Sequence, residues 1–301
     1  MIWKSLGMER YLFQHVRYIV TMAANRPIKY TLAAAHDLNK LIPKTGDPPI
    51  IFTACDKGYF EKYAPSFVAS ISQQASFADV HFHLYNFDAC DDILGFSRAH
   101  KNVTITVTRE EVDFTALEQQ DRSAPKQSWR SLYICCSRFL AAREVMKASG
   151  RPILLLDVDV LFSRPIQSFF GTLLNSDAAL VLRSGEPYMN RRTLGGIVYC
   201  SSGELGTQFM DTVCDIIGRF FSRRRYWKAF DQLALYKALT RMRARPGFRL
   251  LELGPNEISF DMNPYSVIWY PKGRRKDSDD FVQAQQRLLD KAGTSPEGHL
   301  S

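Results

Sequence analysis

The amino-acid sequence predicts an α/β protein with a mostly parallel sheet flanked by helices, on three observations. Short apolar runs alternate with longer segments of helical periodicity from about residue 50 onward. The run over 152–156 is apolar throughout, as expected for a strand that is covered on both faces. Hydrophobic residues make up 46% and charged residues 23% of the 301 residues, which is an ordinary globular composition. Strands that alternate with helices are typical of parallel sheets.

The individual elements follow from the same patterns. Apolar and β-branched runs predict strands over 50–55, 80–85, 103–107, 152–156, 178–182 and 197–200. Helical periodicity predicts helices over 59–73, 91–98, 129–148, 205–221 and 230–240. There is no internal repeat and no low-complexity block.

Turn-rich and charged stretches divide the chain into three parts. A linker that runs from Pro43 to Pro49 separates a helical extension, 1–48, from one α/β domain, 49–276. The charged segment 277–301 is expected to be a partly flexible tail. Apolar residues in the extension recur near helical spacing, so this helix either packs on the domain or makes peripheral contact with a membrane.

Charge and cysteine content limit the partners and the compartment. The formal net charge of +8 favours anionic partners such as nucleotide phosphates or lipid headgroups. No nucleic-acid-binding module is present, so nucleic acid is not an expected partner. Charges interrupt the first 20 residues, and no secretory signal is predicted. The six cysteines include no CxxC pair, which favours free buried thiols in the cytoplasm, although disulfides stay open.

Asp157-Val158-Asp159 is the sharpest motif in the sequence. It directly follows the apolar run 152–156, and ligands of parallel sheets bind at the carboxyl ends of strands. Two carboxylates one residue apart could coordinate Mg²⁺ or Mn²⁺, or they could be solvated turn acids. The same pattern occurs as the DxD motif of GT-A glycosyltransferases and as the first motif of haloacid-dehalogenase-like phosphohydrolases. In the second class Asp157 would be a nucleophile, but that motif usually lies on the first strand, whereas several elements precede it here.

The segment from Phe52 to Tyr59 resembles the opening strand of glycosyltransferase family 8. The resemblance implies that Thr53, Ala54, Asp56 and Tyr59 bind the nucleotide, with the tyrosine stacked on the base. Asp56 could equally be the N-cap of the following helix.

Further along the chain, the segment around Arg138 resembles the helix that precedes the family's DxD strand. The resemblance implies that Arg138 approaches the donor diphosphate and that Asp157 and Val158 contact the donor. Arg138 could instead be an arginine that reaches the surface. Residues 194–199 resemble the segment that lines the family's sugar pocket, with Leu194 in place of its asparagine.

Two later segments also match with departures. Asp231-Gln232 resembles a family motif whose second acid is Leu233 here, and Asp231 would orient a sugar hydroxyl or cap its helix. Residues 270–276 resemble a HxxGxxK motif, in which Gly273 and Lys276 match and the lysine contacts the diphosphate. Tyr270 replaces the metal-binding histidine, so the third ligand is uncertain; Asp261 and Asn263 are alternatives.

Together these segments imply a GT-A glycosyltransferase that uses a nucleotide sugar, with UDP as the expected nucleotide. Asp157 and Asp159 would hold Mn²⁺ or Mg²⁺, and Arg138, Asp231 and Lys276 would act in catalysis. The acceptor would be a glycan, a lipid-linked saccharide or a protein, and the reaction would retain the anomeric configuration. A catalytically silent sugar-nucleotide-binding relative is a further possibility, because the histidine is missing.

Overall fold

The computed structural model of the chain describes residues 48–120, 128–222 and 227–292. The predicted extension, apart from Pro48, and its membrane contact therefore lie outside the described residues. Within the described ranges, no helix combines the length and the apolar character that crossing a membrane requires.

Strands and helices alternate along the described chain. The strands are β1 Ile50–Asp56, β2 Ala78–Tyr85, β3 Val103–Glu110, β4 Ile153–Leu156, β5 Leu161–Phe162, β6 Ala178–Leu182, β7 Thr193–Cys200, β8 Leu250–Glu252, β9 Ile258–Ser259 and β10 Ile268–Trp269. The helices are α1 Lys57–Gln74, α2 Cys90–Ala99, α3 Phe114–Gln120, α4 Ser128–Ser149, α5 Gln167–Leu174, α6 Glu204–Ser222, α7 Phe230–Met242 and α8 Asp279–Ala292. Every strand and helix that the sequence predicts from residue 50 onward is confirmed, with bounds that differ by a few residues.

The main sheet has the strand order β3-β2-β1-β4-β7-β6-β8. The β3-β2, β2-β1 and β1-β4 pairs are parallel, whereas β7 is antiparallel to both β4 and β6. The sheet is therefore mostly parallel, as predicted. Because β7 runs in reverse, its amino-terminal half lies beside the carboxyl end of β4.

Both faces of the sheet are covered, which explains why the central strands are apolar throughout. Successive residues point to opposite faces, so that Ile51 and Leu154 pack into one core with α1 and α5. Phe52 and Leu155 pack into the other core with α4, α6 and α7. All four side chains are fully buried. This burial fixes the register of β1 against β4, and hence the position of the residues that follow them.

Several elements escaped prediction, because each is short or polar. The strands β5, β9 and β10 form a separate small sheet. Each of them has only two residues, which is too few for any periodicity. The sequence also predicts a partly flexible tail from residue 277, whereas the structure has helix α8 there, with Phe281 fully buried. Residues 293–301 lie outside the described part.

All six cysteines fall within the described ranges and are free thiols, which agrees with the prediction of free thiols and not with that of disulfides. Four of them are buried. Burial raises the pKa of the Cys214 thiol to about 12, so that it stays protonated and unreactive at neutral pH.

A buried polar ladder joins β2 to β3. The His81 ring bonds to the hydroxyls of Thr106 and Thr108 at 2.8 and 2.9 Å. The His83 ring bonds to Thr108 at 2.8 Å and to a Glu110 carboxylate oxygen at 2.9 Å. Both imidazoles are fully buried, so these bonds offset the cost of removing polar rings from water.

This ladder predicts that acid destabilises the fold. Burial, with a smaller contribution from His83, lowers the pKa of His81 from 6.5 to about 3. Because the folded state favours the neutral ring, the contribution is fully present above pH 6.5 and is lost as the pH falls toward 3. We expect the His81 contribution to the free energy of unfolding, taken as the difference between wild type and His81→Gln in urea, to fall by about 2 kcal/mol between pH 7.5 and pH 5. In His81→Gln the same pH change should have a clearly smaller effect; an unchanged pH dependence would refute the assignment.

Candidate functional site

The site is built where β4 ends beside the start of β7. Leu156, the last residue of β4, pairs with Ile197 of β7. The Asp157 N–H then donates to the Gly196 carbonyl at 2.9 Å, so that the backbone is still anchored where the strand ends. This anchor holds the first carboxylate of the motif at the sheet edge.

Both carboxylate oxygens of Asp157 accept hydrogen bonds from side chains. The Arg138 Nη1 donates to Oδ1, and the Tyr270 hydroxyl donates to Oδ2. Burial works against ionisation, but the Arg138 guanidinium and the Tyr270 hydrogen bond outweigh it and hold the pKa of Asp157 below its usual value. Asp157 is therefore an anion, with 27% of its side chain still exposed.

Asp159 is buried more deeply, and Lys276 is its side-chain partner among the described residues. Its Oδ2 accepts a hydrogen bond from the Lys276 Nζ, while its Oδ1 is buried with no hydrogen-bond partner among the described residues. Burial and the neighbouring Asp157 charge raise the pKa of Asp159 to about 6. Lys276 is thus the counter-ion on which the charge of this carboxylate depends.

Arg138, on α4, connects the end of β4 with β7 and α7 at the centre of the site. Besides Asp157, its Nη2 donates to the Gly195 carbonyl at 2.7 Å and approaches Asp231 Oδ2 at 3.4 Å. Its side chain is only 7% exposed, which excludes the alternative of a surface arginine. Asp231, at the start of α7, is also buried, and burial raises its pKa above the usual value. The guanidinium fork is suited to hold two carboxylates in fixed positions.

Two adjacent glycines make this packing possible. A Cβ on Gly195 would lie 2.2 Å from Asp231 Oδ2, and one on Gly196 would lie 1.7 Å from the Tyr270 hydroxyl oxygen. The glycines are therefore required for the close approach of β7 to the two aspartates and the tyrosine, rather than for a turn.

Residues 270–276 come to the site from the small sheet. Trp269 of β10 pairs with Leu161 of β5, which places Tyr270 beside the end of the Asp157–Asp159 segment. Gly273 has a φ of +59° and opens a short 3-10 helix, Gly273–Asp277, that carries Lys276. The predicted match of Gly273 and Lys276 thus corresponds to one continuous segment that folds over the carboxylate pair.

The alternative metal ligands at 261 and 263 have other partners. Asp261 pairs with Arg275 at 3.2 Å, and both side chains are exposed. The Asn263 side chain accepts from the Tyr265 N–H at 3.0 Å. Neither has a contact with the carboxylate pair.

The residues after β1 form a second wall. Asp56 caps α1, accepting from the Tyr59 N–H at 3.1 Å, and its other oxygen accepts from Arg130 at 2.8 Å. The Tyr59 ring is 48% exposed, and the Lys276 Nζ lies 5.4 Å from its centre. This contact brings the predicted base-stacking ring to the same cleft as the carboxylate pair.

The other predicted contacts on β1 and β4 are less accessible. Thr53 is fully buried, and its hydroxyl has no hydrogen-bond partner among the described residues. Ala54 is partly buried, and Val158 is 2% exposed. If these residues contact a ligand, they do so through the backbone.

Two cations complete the site, and the sequence reasoning missed one of them. The Lys272 Nζ lies 4.5 Å from the centre of the Tyr270 ring, and Arg183 follows β6 and donates to Gln232 at 3.2 Å. Burial lowers the pKa of Lys272, and the nearby Arg183 charge adds to this. Neither cation forms an ion pair within 4 Å with a described carboxylate, but the Asp157 charge is close enough to offset part of the effect of burial on the pKa of Lys272. Arg183 could have been found only from the strand order, because nothing in its local sequence marks it.

The described residues do not offer a divalent metal a complete ligand set. No group of three His, Cys, Asp or Glu side chains that could hold an ion occurs in the described part of the chain. Tyr270 stands where a histidine would be needed, and burial raises its pKa well above 10, so that it is a neutral phenol. Mg²⁺ and Mn²⁺ prefer anionic or carbonyl oxygens and imidazole. The predicted Mn²⁺ or Mg²⁺ would find two carboxylates here, both already bound by side-chain donors, and no third His, Cys, Asp or Glu ligand among the described residues.

The architecture is that of the GT-A glycosyltransferases, whose mixed sheet with helices on both faces it shares. Among solved structures, the bifunctional glycosyltransferase WbbM matches 85% of the chain at 11% identity with a TM-score of 0.52. The apo form of the glycosyltransferase GlyE of Streptococcus pneumoniae TIGR4 matches 82% of the chain at 10% identity with a TM-score of 0.54.

These likenesses concern the fold. The chain spans 51% of the length of WbbM and 63% of that of GlyE. No family model matches the chain. No curated protein sequence matches it either.

Proposed function

We propose that the protein is a nucleotide-sugar-dependent glycosyltransferase. The observation that supports this most directly is the composition of the cleft at the ends of β1 and β4. Four cations, Arg138, Arg183, Lys272 and Lys276, converge there beside an exposed tyrosine ring. Such a cleft suits a diphosphate joined to a planar base, and the fold is one that glycosyltransferases use.

Glycosyl transfer breaks the bond between an anomeric carbon and a diphosphate, so negative charge develops on the leaving group. The cleft would stabilise that charge through cations whose positions are already fixed by the packing around them. Lys272 and Arg183 have no ion pair with described carboxylates and would contact the phosphate oxygens. Tyr59 would stack on the base, and Asp56 would contact the ribose.

Asp231 is suited to orient the donor sugar or the acceptor hydroxyl. Arg138 holds it beside Gly195, where β7 exposes backbone groups toward the cleft. The proposed donor is a UDP sugar, and the acceptor is a glycan, a lipid-linked saccharide or a protein. We propose retention of configuration, as in the family that the motifs resemble, and a cytoplasmic location.

A phosphohydrolase is less consistent with the site. Its mechanism would need a free Asp157 oxygen to attack phosphorus, but both oxygens accept hydrogen bonds from Arg138 and Tyr270. That class usually carries a second acidic pair late in the chain, after a strand, whereas Asp279 and Asp280 begin helix α8.

The test is a panel of UDP-, GDP-, CMP- and dTDP-sugars with Mn²⁺ and Mg²⁺ both present, for wild type and Asp231→Asn. We expect one donor to raise the melting temperature and to release free nucleotide. Asp231→Asn should bind that donor within about threefold of wild type but turn over at least ~100-fold more slowly. The exposed Asp290→Asn, on α8, is the charge-matched control and should behave as wild type.

Binding without nucleotide release under every acceptor would favour the silent relative. A lack of response to every sugar nucleotide, with phosphate release from a simple phosphoester, would refute the proposal in favour of the phosphohydrolase.

A further inference from the structure

The carboxylate pair is already neutralised by side chains of the chain itself. Three of its four oxygens accept hydrogen bonds, from Arg138, Tyr270 and Lys276. The fourth, Asp159 Oδ1, is buried and has no hydrogen-bond partner among the described residues. Two of the three donors are cations: Lys276 pairs with Asp159, and Arg138 is shared between Asp157 and Asp231. A divalent ion would have to displace at least one of these donors before it could bind.

The position of Tyr270 makes such a displacement costly. The ring is buried, and its hydroxyl packs against Gly196 so closely that no side chain fits between them. The Tyr270 backbone is in turn fixed by the bond from its N–H to the Ser259 carbonyl at 2.8 Å. The phenol therefore fills the space beside Asp157 in which a third metal ligand would be expected.

Lys276 occupies the corresponding space beside Asp159. Its side chain is 20% exposed, so its ammonium lies at the boundary between the buried carboxylate and the cleft. An ammonium has three donors, and one is used by Asp159, which leaves others to face an anion. The contact of Lys276 with the Tyr59 ring directs this charge toward the nucleotide wall.

From these contacts we propose that the site binds the nucleoside diphosphate without a divalent metal, with the Lys276 ammonium as its built-in cation. Lys272 and Arg183 supply the further positive charge that the phosphates need. This inference rests on the proposed function, and it gives that function a specific chemistry: metal-independent departure of the diphosphate. Asp157 and Asp159 then act as positioning residues, which hold Arg138 and Lys276 in place.

The test separates metal binding from nucleotide binding. Electron paramagnetic resonance would follow free Mn²⁺ titrated with the protein, with and without UDP. Calorimetry would measure the affinity for the responsive donor of the panel in EDTA and in Mn²⁺. For wild type we expect no saturable Mn²⁺ site and donor affinities that agree within about threefold in the two buffers. A wild-type Mn²⁺ site, or donor binding that is lost in EDTA, would overturn the inference.

Two variants supply the contrast. Lys276→Ala removes the built-in cation and should weaken donor binding in EDTA by at least ~10-fold, with partial recovery in Mn²⁺. Tyr270→His introduces an imidazole beside Asp157 and should gain a measurable Mn²⁺ signal. Lys62→Ala, whose exposed lysine pairs with Asp277, is the control and should match wild type in both buffers.

The outcomes also distinguish this inference from the proposed function. If a donor binds and is turned over only with Mn²⁺, the inference that Lys276 replaces the metal is wrong, whereas the proposed glycosyltransferase function is supported. If no donor binds in either buffer, the proposed function fails and the inference fails with it. Equal binding by Lys276→Ala and wild type in EDTA would refute the role of Lys276 alone.

Discussion

Replacing Arg138 with methionine is expected to lower the free energy of unfolding by about 3–5 kcal/mol and to abolish transfer activity. The reason is that Arg138 is buried between Asp157 and Asp231, and its loss leaves two carboxylates without their shared counter-ion. The same change frees β7 from the bond to the Gly195 carbonyl. Urea unfolding at pH 7.5 measures the first effect, and nucleotide release from the responsive donor measures the second.

Arg143→Met is the matched control for this prediction. Arg143 lies on the same helix and is 5% exposed, but its partners Glu144 and Asp211 are 51% and 39% exposed and can be solvated when the arginine is removed. Its replacement should cost clearly less stability and leave donor affinity unchanged. The double variant Arg138→Met, Asp231→Asn should recover part of the stability and none of the activity. Equal losses in the two single variants would contradict the central role of Arg138.

Replacing Gly196 with alanine should have the second largest effect, although it adds a single methyl group. The added Cβ would lie 1.7 Å from the Tyr270 hydroxyl oxygen and 2.3 Å from Asp157 Oδ2. The tyrosine is buried and the aspartate backbone is bonded to Gly196 itself, so that neither can move without displacing a strand. We expect activity to fall at least ~100-fold, with a loss of about 1–3 kcal/mol of stability from overpacking.

Gly171→Ala separates this steric effect from the general consequence of replacing glycine. Gly171 lies within α5, and a Cβ added there meets no atom within 4 Å. Alanine should stabilise that helix by about 0.5–1 kcal/mol and leave activity unchanged. If Gly196→Ala kept turnover within threefold of wild type, the requirement for a close approach of β7 to Tyr270 and Asp157 would be refuted.

The main sheet could be predicted because its strands are buried on both faces. The apolar run that ends at Leu156 is typical of a central strand, and this also predicted that Asp157 and Asp159 lie at the edge of the sheet where ligands bind. The small sheet could not be predicted, because strands of two residues such as Ile258–Ser259 have no periodicity.

The individual site residues were predicted from motifs, but the contacts between them were not. The motif at 270–276 indicated that Lys276 would contact a phosphate, whereas the structure places its ammonium on Asp159. Such a contact joins positions that are 117 residues apart, and it depends on how β10 pairs with β5. Arg183 was missed for the same reason, since only the fold brings it near Lys272.

The position of α8 and of the segment before it sets the order in which parts of the protein can fold during synthesis. Helix α8 packs on α1 through the buried Phe281, and the Gln285 side chain donates to the Ser66 hydroxyl of α1 at 2.9 Å. The segment with Tyr270 and Lys276 lies between β10 and α8 in the chain. The nascent chain can therefore assemble the main sheet and Arg138 while the carboxylate pair still lacks two of its three partners. The pair gains the Tyr270 and Lys276 contacts only after the strands of the main sheet that precede them in the chain have been synthesised.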